Sequence, residues 1–369
     1  MGRIHRSAAL GPLAGDLRPR RLFRSGSMDA YTIAVINFNG MKVLQPTLEA
    51  LLRIPDEGLR IVVLDNGSTD GSREWLAESY PRLDVRHTAD DGDVQRVRSY
   101  ALDNAETRYV MLLDNDLVLE PDCPAKLLAA MRSRPDVLAA TPRVLYAEHP
   151  EVIHNDVGRV HFLAVSGRSD RGRTVQELAP SDTPRPTVPG GIAMVDRELA
   201  ARIGGFDDHY DFAWADDAHF YVRGAIAGLH SLHVSGATSY HPVPAHGLAR
   251  AEGQIHNRYR FIVTMYAGRT LLLLAPALLV FEIALAGLFL LKGLTGAQLR
   301  ALRRIWRGRG EVLATRRRIQ ATRRAPDPAY LDASGLSGGG PLSSKGLQIV
   351  AALVNALLRG YWALVRRLL

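Results

Sequence analysis

The chain is almost without cysteine: among its 369 residues only Cys123 carries a thiol. One thiol excludes an intrachain disulfide and any multi-cysteine metal centre, and it permits a reducing, cytoplasm-facing location. The N-terminus lacks an uninterrupted apolar run, because Gly and Pro break the stretch from Ala8 to Leu13. No secretory leader is expected there. Acidic residues are scarce in two places. Residues 1–27 hold six Arg against one acid, and Arg300 to Arg324 hold ten Arg against one acid, while the chain between is closer to neutral. Such stretches suit nucleic acid, an anionic membrane or an anionic substrate. No recognised nucleic-acid-binding module accompanies them, so nucleic acid is not an expected partner.

What is present is an apolar core in strand-sized pieces. The run from Tyr31 to Ile36 is β-branched and apolar without alternation, as a strand buried on both faces of a parallel sheet requires. Leu44 to Leu52 follows as a helix, then a second buried strand from Arg60 to Leu64, then a turn-rich segment from Asp65 to Gly71 and a helix from Ser72 to Tyr80. A helix from Val94 to Ala105 and a strand from Tyr109 to Leu113 make a third unit, and a helix and strand follow between Pro121 and Pro150. Strand, polar loop, helix, repeated, predicts an open, mostly parallel α/β sheet flanked by helices. Ligands of such sheets sit outside the carboxyl ends of the strands. Asn37 to Asn39, Asp65-Asn66 and Asp114-Asn115-Asp116 all fall there, so they should converge on one crevice. Ser166 to Pro189 is rich in Ser, Asp, Arg and Pro and reads as a mobile surface loop.

Thr270 to Leu291 is 22 nearly all apolar residues, enough to span a bilayer. Pro276 and Glu282 lie inside it, and a charged side chain in lipid costs roughly 2.5–3.5 kcal/mol on insertion scales. Basic residues flank both ends, so a re-entrant helix that leaves them on one side is as compatible as a span. Between Ala301 and Arg324 the apolar residues Leu302, Ile305, Trp306, Val312, Leu313 and Ile319 fit one helix face, which Gly308 and Gly310 weaken. That segment suits anionic lipid headgroups or a solvated basic face. The expected organisation is a basic N-terminal arm over 1–27, a catalytic domain over 28–269, a spanning or re-entrant helix over 270–292, a basic amphipathic segment over 293–333, a Gly/Ser linker over 334–345, and an amphipathic or membrane helix over 346–369.

Asp114 and Asp116, two positions apart at the end of a buried strand, can direct oxygen ligands at a hard cation such as Mg²⁺ or Mn²⁺. An Asp-x-Asp is also a common turn. The strand Val110 to Leu113 before it and the two other polar clusters on the same edge favour the metal reading.

The string Ile61 to Ser72, followed by Met111-Leu112-Leu113-Asp114-Asn115-Asp116, resembles the nucleotide-binding half of the family 2 glycosyltransferases. The likeness continues through Gly190-Gly191-Ile192-Ala193-Met194, Ile203 to Asp207 and Trp214-Ala215-Asp216-Asp217, covering roughly Tyr31 to Arg269. It implies the GT-A nucleotide-diphospho-sugar transferase fold, to which the apolar runs add C-terminal membrane-associated helices. It also implies that Asn37, Asn39, Asp65, Asn66, Arg98, Asp114 and Asn115 bind the nucleotide-sugar, the Asn and Asp residues serving equally well as turn caps. Asp217 matches the general base that deprotonates the acceptor hydroxyl, with Asp216 where Glu is commoner. An acidic pair at a helix N-terminus is the other reading of these two. Gly190, Gly191, Trp214 and Asp216 fall on the acceptor side, and Trp214 suits either stacking on a sugar or plain core. His241 is similar to a His that some members use as a further metal ligand, with His246 as the competing choice. Ser99 stands where the family has Asn, and His219 where it often has an acid.

The expectation is an inverting, metal-dependent transferase at the cytoplasmic face of the inner membrane. It would use a UDP- or dTDP-linked donor and a lipid-linked or cell-envelope glycan acceptor. A processive polysaccharide synthase is the first alternative, although Gln254-Ile255-His256-Asn257-Arg258-Tyr259 lacks the Gln-x-x-Arg-Trp pattern of that group. An inactive membrane-bound scaffold or binding subunit is the second.

Overall fold

The computed structural model describes residues 30–88, 93–167, 170–181, 183–242, 250–334 and 345–369. The arm expected over 1–27, residues 335–344 of the expected linker and the alternative ligand His246 lie outside the described residues. In chain order the elements are β1 (Tyr31–Asn37), α1 (Leu44–Leu52), β2 (Leu59–Asp65), α2 (Ser72–Ser79), β3 (Asp84–His87), α3 (Val94–Asn104), β4 (Tyr109–Asp114), β5 (Val118–Leu119), α4 (Cys123–Arg132) and β6 (Val137–Tyr146). Next come β7 (Ile153–Asn155), β8 (Arg159–His161), β9 (Val165–Gly167), β10 (Arg185–Pro186), β11 (Ile192–Asp196), α5 (Arg197–Arg202), α6 (Ala218–Ile226) and β12 (His230–His241). The C-terminal part holds α7 (Ala251–Met265), α8 (Gly268–Leu291), α9 (Thr295–Arg307), α10 (Arg309–Ala321), β13 (Leu331–Asp332) and α11 (Lys345–Val365).

The main sheet runs β10-β12-β6-β11-β4-β1-β2-β3, with β5 on β12 and β7 on β6. Strands β3, β2, β1 and β4 are mutually parallel, as the repeated strand-helix pattern predicts. β11 is inserted antiparallel between β4 and β6. The register places Asn37 beside Asp65, and Ile36 beside Asp114, so the three polar clusters do end on one edge.

The unbroken apolar runs follow from burial on both faces. Ile33, Val35, Val63, Met111 and Leu113 feed one core with Leu44 and Leu48 of α1 and Leu127 of α4. The alternate residues Ala34, Ile36, Leu64, Val110 and Leu112 feed the other, against α3, α6 and Phe261 of α7. Each such fully buried aliphatic side chain contributes about 1.5–3 kcal/mol relative to exposure. This rigid edge is what lets short loops hold a site.

Two expectations need correcting. The described residues between Ser166 and Pro189 include the end of β9 and all of β10 and are tied down: Ser181 N–H donates to Ser235 Oγ at 2.8 Å, Arg185 pairs with Asp156 at 3.0 Å, and Val188 N–H reaches Gly158 O at 3.0 Å. The basic segment is broken into α9 and α10 at Gly308 and does not show its apolar residues on one face. Val312 and Ile319 are buried while Leu302, Trp306 and Leu313 stay exposed. Glu282, the charge inside the apolar run, forms an ion pair with Arg258 of α7 and accepts the Tyr259 hydroxyl at 2.8 Å.

Candidate active site

The strand ends are knitted by Asn37, which is fully buried. Its Nδ2 donates to Asp65 Oδ2 at 2.8 Å, Ser68 Oγ at 3.1 Å and Ser72 Oγ at 3.2 Å, and its Oδ1 accepts from Asn115 Nδ2 at 2.9 Å. One amide therefore joins β1, β2 and the turn after β4. Asp65, also fully buried, accepts Ser68 N–H at 3.1 Å and has Arg73 at 3.4 Å. These side chains are engaged with one another, so they shape the crevice rather than project into it. Asn66 is buried beside them, whereas Asn39 is exposed in a left-handed conformation with φ 52°, its Oδ1 accepting Thr69 N–H at 2.9 Å. Gly40 is required next: a Cβ there would lie 2.2 Å from Asn37 Oδ1 and 2.3 Å from Asn115 Nδ2.

Asp114 ends β4 and Asp116 follows in the turn. His241 ends β12 and brings Nε2 to 3.4 Å from Asp116 Oδ2, while its ring stacks on His154 at 4.8 Å. Burial pushes the Asp114 carboxyl well above the carboxylate range, with the charges of Asp116 and Asp217 adding to it and Arg98 opposing it. Two carboxylates, an imidazole whose buried Nδ1 has no hydrogen-bond partner among the described residues, and crowded negative charge are the donor types that a divalent cation takes. A tighter group, Asp207-Asp208-His209, exists elsewhere. Asp207 there is already neutralised by Arg260 at 2.8 Å and none of the three lines the cleft, so its proximity reflects an ion-pair network.

Asp217 caps α6. Its Oδ1 accepts Ala218 N–H at 2.6 Å and its Oδ2 accepts Gly191 N–H at 2.9 Å. Gly190 and Gly191 thus lie between the two acidic groups: a Cβ on Gly190 would sit 3.1 Å from Asp217 Oδ2, and one on Gly191 3.0 Å from Asp114 Oδ2. Asp216 turns the other way and pairs with Arg98 at 3.1 Å, both buried. Burial raises the Asp216 carboxyl, with Asp217 and Asp114 adding to the rise and Arg98 opposing it. Burial disfavours the Arg98 charge, but Asp216, Asp114 and Asp217 together outweigh it and hold the guanidinium charged. Arg98 is thus a buried counter-ion among three carboxylates, with an internal position where the resemblance implies nucleotide contact.

His219 is buried and stacks on Tyr210 at 4.1 Å. Its Nε2 accepts Asp207 N–H at 3.0 Å and Nδ1 lies 3.1 Å from Ala215 O, which makes Nδ1 the protonated nitrogen. It fixes the loop carrying Asp216 and Asp217 from behind. Asp114, Asp216, Asp217, Gly190, Gly191 and Trp214 line one cleft of about 290 Å³. Sequence reasoning missed Phe212, Arg159, Arg250 and Gln254 on its walls. Phe212 was open to inspection as an aromatic two residues from Trp214; Arg159, isolated on a short strand, had no local signal.

Residues 32–204 match the family model for glycosyl transferase family 2. The chain carries a family 2 glycosyltransferase domain. Chondroitin synthase of Escherichia coli is 25% identical to this chain over 243 residues, 59% of this chain and 35% of the synthase. Poly-beta-1,6-N-acetyl-D-glucosamine synthase of Staphylococcus epidermidis is 28% identical over 144 residues, 37% of this chain and 34% of that one. The match thus spans about a third of the length of these curated relatives. A crystal structure of GalNAc-T7 with UDP, GalNAc and Mn²⁺ superposes with a TM-score of 0.55 at 16% identity, covering 65% of this chain and 48% of that one. That likeness establishes the GT-A fold for the glycosyltransferase domain.

Proposed function

We propose that this glycosyltransferase is an inverting, metal-dependent enzyme that moves a sugar from a nucleoside-diphosphate sugar to a glycan or lipid-linked acceptor at the cytoplasmic face of the cell membrane. The observation that carries it is the placing of Asp217 and Asp114 on either side of Gly190-Gly191 in one cleft. Asp114, Asp116 and His241 would hold Mg²⁺ or Mn²⁺, which when bound neutralises charge on the departing diphosphate. Asp217 is aimed by two backbone N–H groups and takes the proton of the acceptor hydroxyl, which is a poor nucleophile until it loses that proton. Arg98 holds Asp216 away from the reacting atoms and balances charge beneath the cleft. Trp214 offers an apolar wall to a sugar ring, its edge packed on Phe261 at 5.4 Å. UDP or dTDP is the leaving nucleotide in this reading, and the Mn²⁺ and UDP bound by the GalNAc-T7 structure are consistent with it.

The relatives named above are polymer synthases, which supports a second reading in which the acceptor is the growing polysaccharide itself. Product length after one round of donor excess separates the two readings. The first test is a panel of labelled UDP- and dTDP-sugars with Mg²⁺ or Mn²⁺, scored for donor turnover. Asp217→Asn is expected to lower turnover by about 10²-fold or more while metal-dependent nucleotide binding survives. Nucleotide binding with no turnover of any donor by the native chain would instead identify an inactive binding subunit.

A further inference from the structure

Apart from the Arg98–Asp216 pair, the cleft beside Asp217 carries two carboxylates, Asp114 and Asp217, and two further arginines. Its three arginines are Arg98, Arg159 and Arg250. Arg98 is spoken for by Asp216. Arg159, on β8, is half-buried and has neither an ion pair nor a side-chain hydrogen bond among the described residues. This contrasts with every fully buried arginine described: Arg98 pairs with Asp216, Arg143 with Asp156, Arg258 with Glu282, and Arg260 with Asp207 and Glu311. Even half-buried Arg223 donates to a backbone carbonyl, that of Gly205. A guanidinium withdrawn from water without a partner is unfavourable unless something supplies one. Burial pushes Arg159 below its ordinary value; Asp332 opposes this, Arg185 adds to it, and Asp170 opposes it weakly, so burial prevails. Arg250, at the start of α7, is exposed, lies over the Phe212 ring at 4.1 Å, and likewise has no carboxylate partner among the described residues. Arg159 is held in place because β8 is clamped between β9 and β13, and the neighbouring Gly167 leaves room at its stem.

We propose that Arg159, together with Arg250, forms an anion-binding subsite that selects an acceptor carrying a carboxylate or phosphate close to the hydroxyl that receives the sugar. The proposal rests on the transferase reading of the cleft and narrows its acceptor from glycans in general to charged ones. The arginines supply charge-assisted, forked hydrogen bonds to a planar carboxylate or a phosphate, Phe212 and Trp214 supply the apolar wall, and Asp217 lies in the same cleft to take the hydroxyl proton. A neutral glycan would leave Arg159 desolvated and unpaired, which is how a polar site rejects the wrong ligand.

The experiment uses the full chain in detergent with nucleotide and Mn²⁺, and three probes: p-nitrophenyl β-glucuronide, p-nitrophenyl β-glucoside 6-phosphate and neutral p-nitrophenyl β-glucoside. Binding by calorimetry is measured beside donor hydrolysis and sugar transfer. At least one charged probe is expected to bind or accept about tenfold better than the neutral one, the size of one charge-assisted hydrogen bond. Arg159→Gln and Arg250→Gln should each shrink that preference towards unity with the donor KM unchanged, and Arg159→Lys should restore part of it. Which charged probe wins distinguishes a uronic acid from a phosphorylated acceptor. Donor turnover with equal use of all three probes overturns the proposal. A raised donor KM in Arg159→Gln with the charged-probe preference intact also overturns it, by assigning the subsite to the donor diphosphate. Charge-selective, Arg159-dependent binding without donor turnover would uphold the subsite and reject the transferase reading; absence of both binding preference and turnover rejects both.

Discussion

At Gly191 two demands meet in one residue. The backbone has φ 30°, in the region that disfavours side chains, and a Cβ would lie 3.0 Å from Asp114 Oδ2. Gly191→Ala is expected to cost turnover about tenfold or more by moving Asp114 relative to Asp217, with only a few degrees lost in Tm; unchanged turnover would show that this separation is not critical. His219 and His161 make a different prediction. Burial holds His219 down to about 3 and His161 down to about 4, so the folded chain leaves both neutral while the unfolded chain protonates them near 6.5. As pH falls below about 6.5 the unfolded state binds more protons and stability drops, by about 2 kcal/mol per histidine between pH 7 and 5. Urea unfolding across that range should show the loss, and His219→Gln should remove about half of it. In the sequence His219 stood out only as a departure from the acid that the family often has there; its role in fixing the acidic loop comes from its contacts with Tyr210, Asp207 and Ala215.

Among the elements, α7 couples the catalytic loop to the apolar C-terminal helices. Asn257 accepts Asp211 N–H at 2.9 Å and donates to Asp211 O at 2.8 Å and Trp214 O at 2.9 Å, so it anchors the loop that leads to Asp217. One residue on, Arg258 donates to Leu163 O at 3.0 Å and pairs with Glu282 of α8. Arg260 bridges Asp207 and Glu311 of α10. Three residues within one turn of one helix thus point at different neighbours. Removing one partner of a buried ion pair costs about 3–5 kcal/mol because the other charge is left uncompensated. Glu282→Leu is therefore expected to destabilise the chain strongly in a detergent unfolding assay, and the double variant Arg258→Leu with Glu282→Leu to recover much of the loss. Additive losses would show that the pair does not interact. The nearly continuous apolar run of α8 made its length legible, and Glu282 was visible as an anomaly, but which neighbour satisfied it was not.

On the scale of the whole molecule, the apolar residues that the core does not use gather in the C-terminal helices. Leu272, Leu279, Ile283 and Leu290 of α8 are exposed, and so are Leu299, Leu302 and Trp306 of α9 and Leu357 and Leu364 of α11. α8 is by length and composition the one described helix able to cross a membrane. α11 returns to the protein through Trp362, stacked on Phe162 at 5.4 Å, which ties this region to the domain that bears the cleft. If this surface meets lipid, apolar insertion and the arginines of α9 act together, and only the second is screened by salt. The chain is then expected to stay with membranes through both 1 M salt and alkaline carbonate washes. Release by salt alone would mean that surface charge holds it and that α8 does not insert.

Much of this protein was legible locally. A strand buried on both faces must be apolar throughout, so β1, β2 and β4 declare themselves, and parallel connection forces their polar ends to one edge. Asp114 and Asp116 stood out for the same reason: charged residues are costly next to a buried run unless an edge or a site receives them. The Trp214 to Asp217 stretch was marked by the family resemblance instead. Tertiary structure alone decided which charges are spent on one another. Arg98 and Asp216 are 118 residues apart yet form a buried pair, Asn37 is consumed in joining three loops, and Glu282 is matched by a helix that precedes its own. Arg159 is left without such a match in the cleft wall. Pairing of this kind depends on which segments the topology packs together, and periodicity within a segment carries no record of that.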